Sequence, residues 1–152
     1  MHLFEHQESR QTLAQGIAEY YDRNHELVRG DQLSVEAREF FRSHDAVHVV
    51  YGCGISLSHE AIVKVCSVFG TTAGVSVLRG YRLHESIDIY KRLNPQEVVS
   101  TTLASVVLVP RAIFRCLRQR KRWPWSDFSA HLESLLCELR AGYGICVPGG
   151  VA

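Results

Sequence analysis

The stretch that decides the fold spans residues 43–64 and reads S-H-D-A-V-H-V-V-Y-G-C-G-I-S-L-S-H-E-A-I-V-K. His44 and His48 are four residues apart, so on a helix their side chains lie one above the other on the same face. Gly52 and Gly54 interrupt the helical pattern, and Glu60 follows in the next predicted helix. The stretch therefore predicts two helices joined by a tight turn, with two imidazoles and one carboxylate able to reach a common point.

Apolar residues at helical spacing predict further helices around this unit. We expect a first helix over residues 9–28 and a second after Ser34, a residue type favoured at helix N-caps. The second helix carries both histidines on its apolar stripe, so they should be buried. The third helix should cover residues 58–69, with Ser56 or Ser58 as its N-cap.

The C-terminal half of the chain also has a helical pattern. Small residues at 70–80 suggest another helix, although their β-branched content also fits a buried strand. We expect a helix over 83–93 and then a long helix that starts at Asn94-Pro95 and passes through Val98–Val109. This long helix should be kinked at Pro110 and run towards Arg120. A last helix over 126–140 and a loose tail at about 146–152 complete the chain. The sequence thus predicts an all-α, single-domain bundle of six to seven helices over residues 1–152.

Composition is typical of a globular protein. The chain has 152 residues, of which 46% are hydrophobic and 22% charged, so it is long enough to bury a core and unlike a disordered chain. Residues 1–60 carry ten acidic and five basic side chains, whereas residues 61–152 carry six acidic and twelve basic ones. This basic half indicates an anionic partner or surface, while the net charge of +1 argues against a nucleic-acid binder.

Cysteine usage and the hydropathy pattern indicate a cytoplasmic protein. The five cysteines are odd in number and contain no C-x-x-C pair, which is typical of reduced thiols. The first residues, M-H-L-F-E-H-Q-E, lack the apolar core of a signal peptide. The uncharged run Val98–Val109 has twelve residues, fewer than the roughly 20 that span a bilayer. We expect no transmembrane helix.

His44, His48 and Glu60 are the candidate metal ligands. Two imidazoles and a carboxylate can bind a divalent metal and leave coordination positions open for water or substrate. Asp45 is either a further ligand or a residue that orients one imidazole. The alternative is structural: hydrogen-bonded core histidines, with Glu60 complementing the helix dipole and pairing with Lys64 four residues on.

The same residues resemble the coenzyme Q biosynthesis protein 4 family. Its signature is H-D-x-x-H, eleven residues and then E, and here His44-Asp45-Ala46-Val47-His48 is followed after eleven residues by Glu60. Tyr51-Gly52, Glu60-x-x-x-Lys64, A-E-Y-Y-D-R-N at 18–24 and Glu138-Leu139-Arg140 with Gly144-Ile145 are similar to further family segments. The chain differs in having His59 where the family commonly has glycine, and G-T-T-A-G-V-S after the third helix.

The resemblance implies an α-helical protein, peripheral to a membrane, that binds a prenylated quinone precursor between its helices. It implies a divalent metal, zinc by family resemblance with iron as the alternative, and oxidative decarboxylation and hydroxylation at ring carbon 1 of a polyprenylated hydroxybenzoate-type precursor. Partners would include other quinone-biosynthesis proteins, and we expect a homo-oligomer. One alternative is a non-catalytic isoprenoid-binding or scaffolding protein with a structural metal, whose coordination sphere Asp45 or His59 would complete as an extra ligand. Another alternative is a small metal-dependent hydrolase.

A basic stretch with two tryptophans follows in residues 111–125. It contains six cations and no acid before Trp123. Such a helix end suits an anionic membrane surface, although a solvated helix C-terminus or a nucleic-acid contact would have the same composition. The predicted membrane-surface residues are Arg115, Arg118, Arg120, Lys121, Arg122, Trp123 and Trp125.

Overall fold

The computed structural model describes residues 2–24, 34–82 and 95–149, with the backbone alone at 82 and 95–105. Its α-helices are α1 (Leu13–Arg23), α2 (Val35–Val50), α3 (Leu57–Phe69), α4 (Pro95–Leu117) and α5 (Leu136–Tyr143). Short 3-10 helices cover Leu3–Glu5, Gly74–Arg82 and Phe128–His131. No strand occurs in these ranges, which confirms the predicted all-α class. The predicted helix at 83–93 lies outside the described residues.

Helix α2 lies at the centre of the described structure. Residues 43–50 are all buried, so the C-terminal half of this helix is covered on every side. Helices α1, α3 and α5 and the first 3-10 helix contact α2, whereas α4 packs along α3. The metal-ligand candidates of α2 therefore lie in the core, as their position on the apolar stripe predicts.

The ends of α2 and α3 are determined by local sequence. Ser34 caps α2 by accepting a hydrogen bond from the amide of Ala37, and Ser56 caps α3 by accepting one from the amide of His59. At the end of α2, Gly52 adopts a φ of 64°. Its amide donates to the carbonyl of Val49 at 3.1 Å, and the amide of residue 53 donates to that of residue 48 at 2.8 Å. This pair of bonds is a Schellman motif, which needs glycine at the left-handed position.

Helix α1 starts later than predicted, at Leu13, and the last helix starts at Leu136. Thr12 caps α1 in a reciprocal capping box with Gln15. The amide of Leu13 donates to the carbonyl of Ser134 at 3.0 Å, and the amide of Leu136 donates to that of Gln11 at 2.9 Å. Because the backbone around residue 134 bonds to the start of α1, it cannot continue a helix. The predicted 126–140 helix is therefore divided into a 3-10 turn and α5.

Helix α4 begins at Pro95 as predicted and continues through Pro110 to Leu117. The proline ring removes the amide that would bond to the carbonyl of residue 106. Asn94, the predicted N-cap, lies outside the described residues. Within the described ranges, no helix combines the length and the apolar character that crossing a membrane requires.

The segment after α5 is docked, in contrast to the predicted loose tail. Ile145 and Val147 are buried. Gln7 fixes this segment through both ends of its side-chain amide, which donates to the carbonyl of Ile145 at 3.0 Å and accepts from the amide of Val147 at 2.9 Å. Residues 145–148 thus belong to the packed structure, because they cover apolar surface and have defined hydrogen-bond partners.

Arg140 in α5 is fully buried and binds only backbone carbonyls. Its guanidinium donates to the carbonyls of Val49 at 2.9 Å and Val50 at 2.8 Å, in the last turn of α2. The same group donates to carbonyls of Phe4, His6 and Gln7. No acidic side chain within the described ranges forms a salt bridge with it. Burial lowers its pKa to about 10, so the group remains charged at neutral pH. A cation at the helix C-terminus complements the helix dipole and satisfies its last carbonyls.

We expect Arg140→Met to destabilise the protein by about 3–5 kcal/mol, since several buried carbonyls would lose their donor at a cost of about 1–3 kcal/mol each. Arg140→Lys should restore only part of this loss, because an ammonium has three donors and no planar fork. Urea unfolding measures both changes. Arg118→Met, at an exposed position, is the control and should stay within about 0.5 kcal/mol of the native protein. A loss below about 1 kcal/mol for Arg140→Met would contradict the assigned role.

Candidate metal centre

Two consecutive turns of α2 present His44 and His48 to the same site. Their ring centroids are 4.7 Å apart, and the exposed fractions of the two residues are 7% and 0%. Imidazoles at this depth need partners, because an unpaired buried nitrogen has lost its hydration. The geometry that the four-residue spacing predicts is therefore present, inside the protein core.

Glu60, in the first turn of α3, faces both imidazoles. Its Oε1 lies 3.1 Å from Nε2 of His48, and its Oε2 lies 3.8 Å from Nε2 of His44. The three ligand atoms all lie within 4.8 Å of one another. The Glu60 side chain is 29% exposed, so this carboxylate marks the side on which the site meets solvent.

The turn after α2 determines which nitrogen of His48 faces the site. Nδ1 of His48 lies 3.2 Å from the carbonyl oxygen of Cys53 and 3.1 Å from that of Gly54. Both partners are acceptors, so Nδ1 must carry a proton and donate it. In the neutral ring the lone pair is then on Nε2, directed towards Glu60. Backbone carbonyls often orient metal-binding histidines in this way.

Asp45 lies behind His44 rather than in the three-ligand cluster. Its Oδ1 is 3.5 Å from Nδ1 of His44, and its Oδ2 accepts a hydrogen bond of 2.5 Å from the hydroxyl of Tyr21. Burial and the neighbouring carboxylate raise the pKa of Tyr21, so the hydroxyl keeps its proton. Of the two roles predicted for Asp45, its position fits the orienting one. Tyr21, in the resembling segment at 18–24, is a site residue that sequence reasoning missed.

His59, the predicted extra ligand, makes a different contact. Its Nδ1 accepts a hydrogen bond of 2.8 Å from the amide of Gly54. Burial lowers its pKa, which favours the neutral ring that this bond requires. The structure does not place His59 in the ligand cluster. Its role is to fix the turn whose carbonyls bind His48.

The three clustered side chains fit a divalent metal. Nε2 of His44 and Nε2 of His48 are buried and have no hydrogen-bond partner among the described residues, although both face a carboxylate. Zinc bonds of about 2.0–2.2 Å place two tetrahedral ligand atoms about 3.4 Å apart, between the two measured nitrogen–oxygen distances. A cation between these atoms would satisfy both nitrogens. Imidazole and carboxylate ligands suit zinc and iron alike, so the metal is not identified by them.

The charges in the site are coupled. Burial alone would lower the pKa of His48, but contact with Glu60 outweighs it and the pKa is raised. Burial alone would raise the pKa of Glu60, but His48, His44 and Lys64 outweigh it and the pKa is lowered. The carboxylate is therefore ionised at neutral pH, which is the state that binds a metal.

Aromatic rings cover the His44 side of the site. The ring of Phe40 stacks on His44 with centroids 5.9 Å apart, and Tyr81 packs edge-on against the same imidazole at 5.7 Å. Trp125 lies 5.7 Å from Phe40. A Cβ atom at Gly80 would overlap the Phe40 ring, so the 3-10 helix approaches at this position only because residue 80 is glycine. Phe40 has helical spacing relative to His44, whereas no pattern in the sequence indicated Tyr81.

The predicted membrane-surface residues divide into two groups. Arg118, Arg120, Lys121 and Arg122 are exposed, as that prediction requires. Trp123 is fully buried, against Tyr143 and His131, so its prediction as a surface residue is wrong. The half-buried residues are Arg115, which donates to the carbonyl of Pro148, and Trp125, which contacts Phe40. The backbone of residue 123 bonds to that of residues 70 and 72, which carries the indole inward.

Four exposed apolar residues on α4 were missed in the sequence. Val106, Val107, Phe114 and Leu117 are 73%, 51%, 58% and 70% exposed. Their spacing, with exposed Pro110 between them, places them along one outer face of the helix. The exposed cations of residues 118–122 follow directly. Amphipathic periodicity could have indicated this face, but the uncharged run at 98–109 hides which side is buried.

No protein-family model, curated protein or solved structure matches this chain. The resemblance to the coenzyme Q biosynthesis protein 4 family stays a prediction that is based on the spacing of His44, His48 and Glu60.

We expect the native protein to bind one equivalent of zinc, and His44→Ala and Glu60→Ala to lose it, because each removes one of three ligands. Elemental analysis after expression with added metal, followed by competition with a chelating dye, measures this loss. His6→Ala is the matched control, since His6 is exposed and outside the cluster. Native protein that contains no metal, or variants that retain it fully, would exclude the site.

Proposed function

We propose that this protein is a metal-dependent enzyme of prenylated quinone biosynthesis that acts on a polyprenylated hydroxybenzoate-type acid at a membrane surface. The observation that carries the proposal is the convergence of His44, His48 and Glu60, in which two buried imidazole nitrogens face the carboxylate. Three protein ligands are typical of catalytic sites, whereas structural zinc sites have four. The reaction that the family resemblance implies is oxidative decarboxylation with hydroxylation at ring carbon 1.

The roles of the chain's own residues follow from their contacts. His44, His48 and Glu60 would hold the metal, which when bound supplies a Lewis acid for an anionic substrate oxygen and, if it is iron, redox chemistry. Asp45 and Tyr21 orient His44. The turn carbonyls at 53 and 54 orient His48. These constraints keep both imidazoles in one orientation, which lowers the cost of arranging the site when substrate binds.

The surroundings of the site support an aromatic substrate. Phe40 and Tyr81 form an apolar wall beside His44, and the solvent-exposed part of Glu60 gives a side of approach. Aromatic rings prefer offset or edge-on contacts with other rings, so this wall suits the ring of a hydroxybenzoate. Lys64, one helical turn beyond Glu60 on α3, adds positive charge on the same helix.

The outer face of α4 supports the membrane part of the proposal. Exposed apolar side chains at 106, 107, 114 and 117 are followed by four exposed cations. Such a face can insert its apolar residues at the lipid boundary while the cations bind anionic headgroups, at about 1 kcal/mol for each cation. Tryptophan anchors are not part of this surface.

A non-catalytic isoprenoid-binding or scaffolding protein with a structural metal is the second candidate. The burial of both imidazoles favours it, since the exposed fractions of 0% and 7% leave Glu60 as the accessible ligand. The two candidates differ in whether the metal has a coordination position that an added ligand can occupy.

Cobalt substitution distinguishes the two candidates. We expect the visible absorption of the cobalt protein to change on titration with 4-hydroxybenzoate, because an open coordination position would bind the carboxylate or phenolate oxygen. Glu60→Gln, which changes the ligand set, should alter the starting spectrum and serves as the reference for a genuine cobalt site. A native spectrum that stays constant up to millimolar ligand would favour the structural metal.

Vesicle flotation tests the membrane surface. We expect the protein to float with vesicles of phosphatidylglycerol and phosphatidylcholine, and binding to fall at least tenfold when Arg118, Arg120, Lys121 and Arg122 are changed to Gln, given about 1 kcal/mol for each cation. Phe114→Ser with Leu117→Ser should also weaken binding. The control neutralises Arg10 and Arg38, exposed cations of other segments. Equal flotation of all variants would contradict the assigned surface.

A further inference from the structure

Two cysteine thiols face each other between α3 and α4. Sγ of Cys66 and Sγ of Cys116 are 3.6 Å apart and hydrogen-bonded, although the residues are 50 positions apart in the chain. Both are buried, with exposed fractions of 3% and 5%. A disulfide bond needs the sulfurs about 2.05 Å apart, so rotation of the two side chains has to close about 1.6 Å.

A small cavity gives access to this pair. Its volume is about 70 Å³, and its walls include Cys66, Cys116, Cys146, Arg111 and Arg115. This volume admits water or hydrogen peroxide but not a prenyl chain or glutathione. The two arginines, one helical turn apart on α4, make the surroundings electropositive, which favours a thiolate over a thiol.

The two thiols differ in acidity. Contact with Cys66 lowers the pKa of Cys116, whereas contact with Cys116 and burial raise the pKa of Cys66. These two directions favour the thiolate on Cys116, and both sulfurs line the cavity. The nucleophile of a thiol reaction is the thiolate, so the roles of the two sulfurs follow.

The other three cysteines lack such a partner. Burial raises the pKa of Cys53, whose thiol contacts the carbonyl oxygen of Tyr51. Cys137 and Cys146 are half-buried, and neither makes a thiol–thiol contact in the described ranges. No cysteine of these ranges belongs to a group of three metal-binding side chains, so the pair is suited to a disulfide rather than to a metal.

We propose that Cys66 and Cys116 form a reversible disulfide in response to hydrogen peroxide, and that this bond joins α3 to α4. The Cys116 thiolate attacks one peroxide oxygen, the O–O bond breaks, and the released hydroxide takes up a proton to become water. The Cys66 sulfur then attacks the sulfur of the Cys116 sulfenic acid. The S–O bond breaks, and the hydroxyl leaves as water with the Cys66 proton. Two thiols are oxidised, and one peroxide is reduced to two waters.

Such a bond would act on the helix that carries one of the candidate metal ligands. Cys66 is on α3, the helix that carries Glu60, and Cys116 is on α4, the helix that carries the exposed apolar face. Oxidation would fix covalently the position of one relative to the other. The inference does not depend on the proposed function, because thiol chemistry here requires neither metal nor substrate.

Thiol counting and peptide mapping test the inference on the full chain. Reduced native protein has five free thiols, and we expect stoichiometric hydrogen peroxide to remove two of them, with a Cys66–Cys116 cross-linked peptide in the mass spectrum. The oxidised form should unfold several degrees higher than the reduced form, because the bond closes a long loop. Dithiothreitol should reverse both changes.

Single variants identify the two sulfurs. Cys66→Ala and Cys116→Ala should each abolish the cross-link, whereas Cys137→Ala and Cys146→Ala should leave it intact. Because a buried alanine can destabilise the chain, circular dichroism confirms folding before oxidation, and the native mapping stands without the variants. Five thiols that survive peroxide, or a native cross-link through Cys146 instead of Cys66, would overturn the proposal.

Discussion

The buried guanidinium of Arg140 connects the parts of the fold that otherwise share few contacts. One planar group binds carbonyls at the end of α2 and carbonyls of the first segment, while its own backbone belongs to α5. A charge at this depth is tolerated because peptide dipoles surround it in place of water. The end of α2 is thereby fixed from outside, and the two ligand imidazoles lie in the turns that lead to it.

The orientation of the ligand imidazoles depends on this arrangement. The Schellman turn at Gly52 directs two carbonyls at His48, and the side chain of His59 stabilises the same turn through the amide of Gly54. On the other imidazole, Asp45 lies 3.5 Å from Nδ1 of His44 and accepts a hydrogen bond from Tyr21. The residues that resemble a family signature are therefore only part of the site, and the rest is supplied by backbone atoms and by α1.

Local sequence patterns predicted the features that depend on interactions between neighbouring residues. The caps at Ser34 and Ser56, the start at Pro95 and the convergence of His44 with His48 follow from propensity and helix period. The division of the last helix, the burial of Trp123 and the docking of residues 145–148 depend on backbone pairing between distant segments. Sequence periodicity contains no information about such pairing, nor about Tyr81 or the thiol pair of Cys66 and Cys116. The residues at 83–94 lie outside the described structure.

The contact between Val147 and Gly52 has a further consequence. A Cβ atom at residue 52 would lie 2.7 Å from Cγ1 of Val147, so Val147 packs directly against the glycine that ends α2. The turn at that glycine directs the carbonyls of Cys53 and Gly54 towards Nδ1 of His48, and these carbonyls determine the tautomer of the ring. The segment before α1 also contacts these residues, since Gln7 binds Ile145 and Val147. The protonation pattern of His48 thus depends partly on residues almost a hundred positions downstream. A tag or truncation at residue 147 would alter the metal centre although it changes none of the candidate ligands.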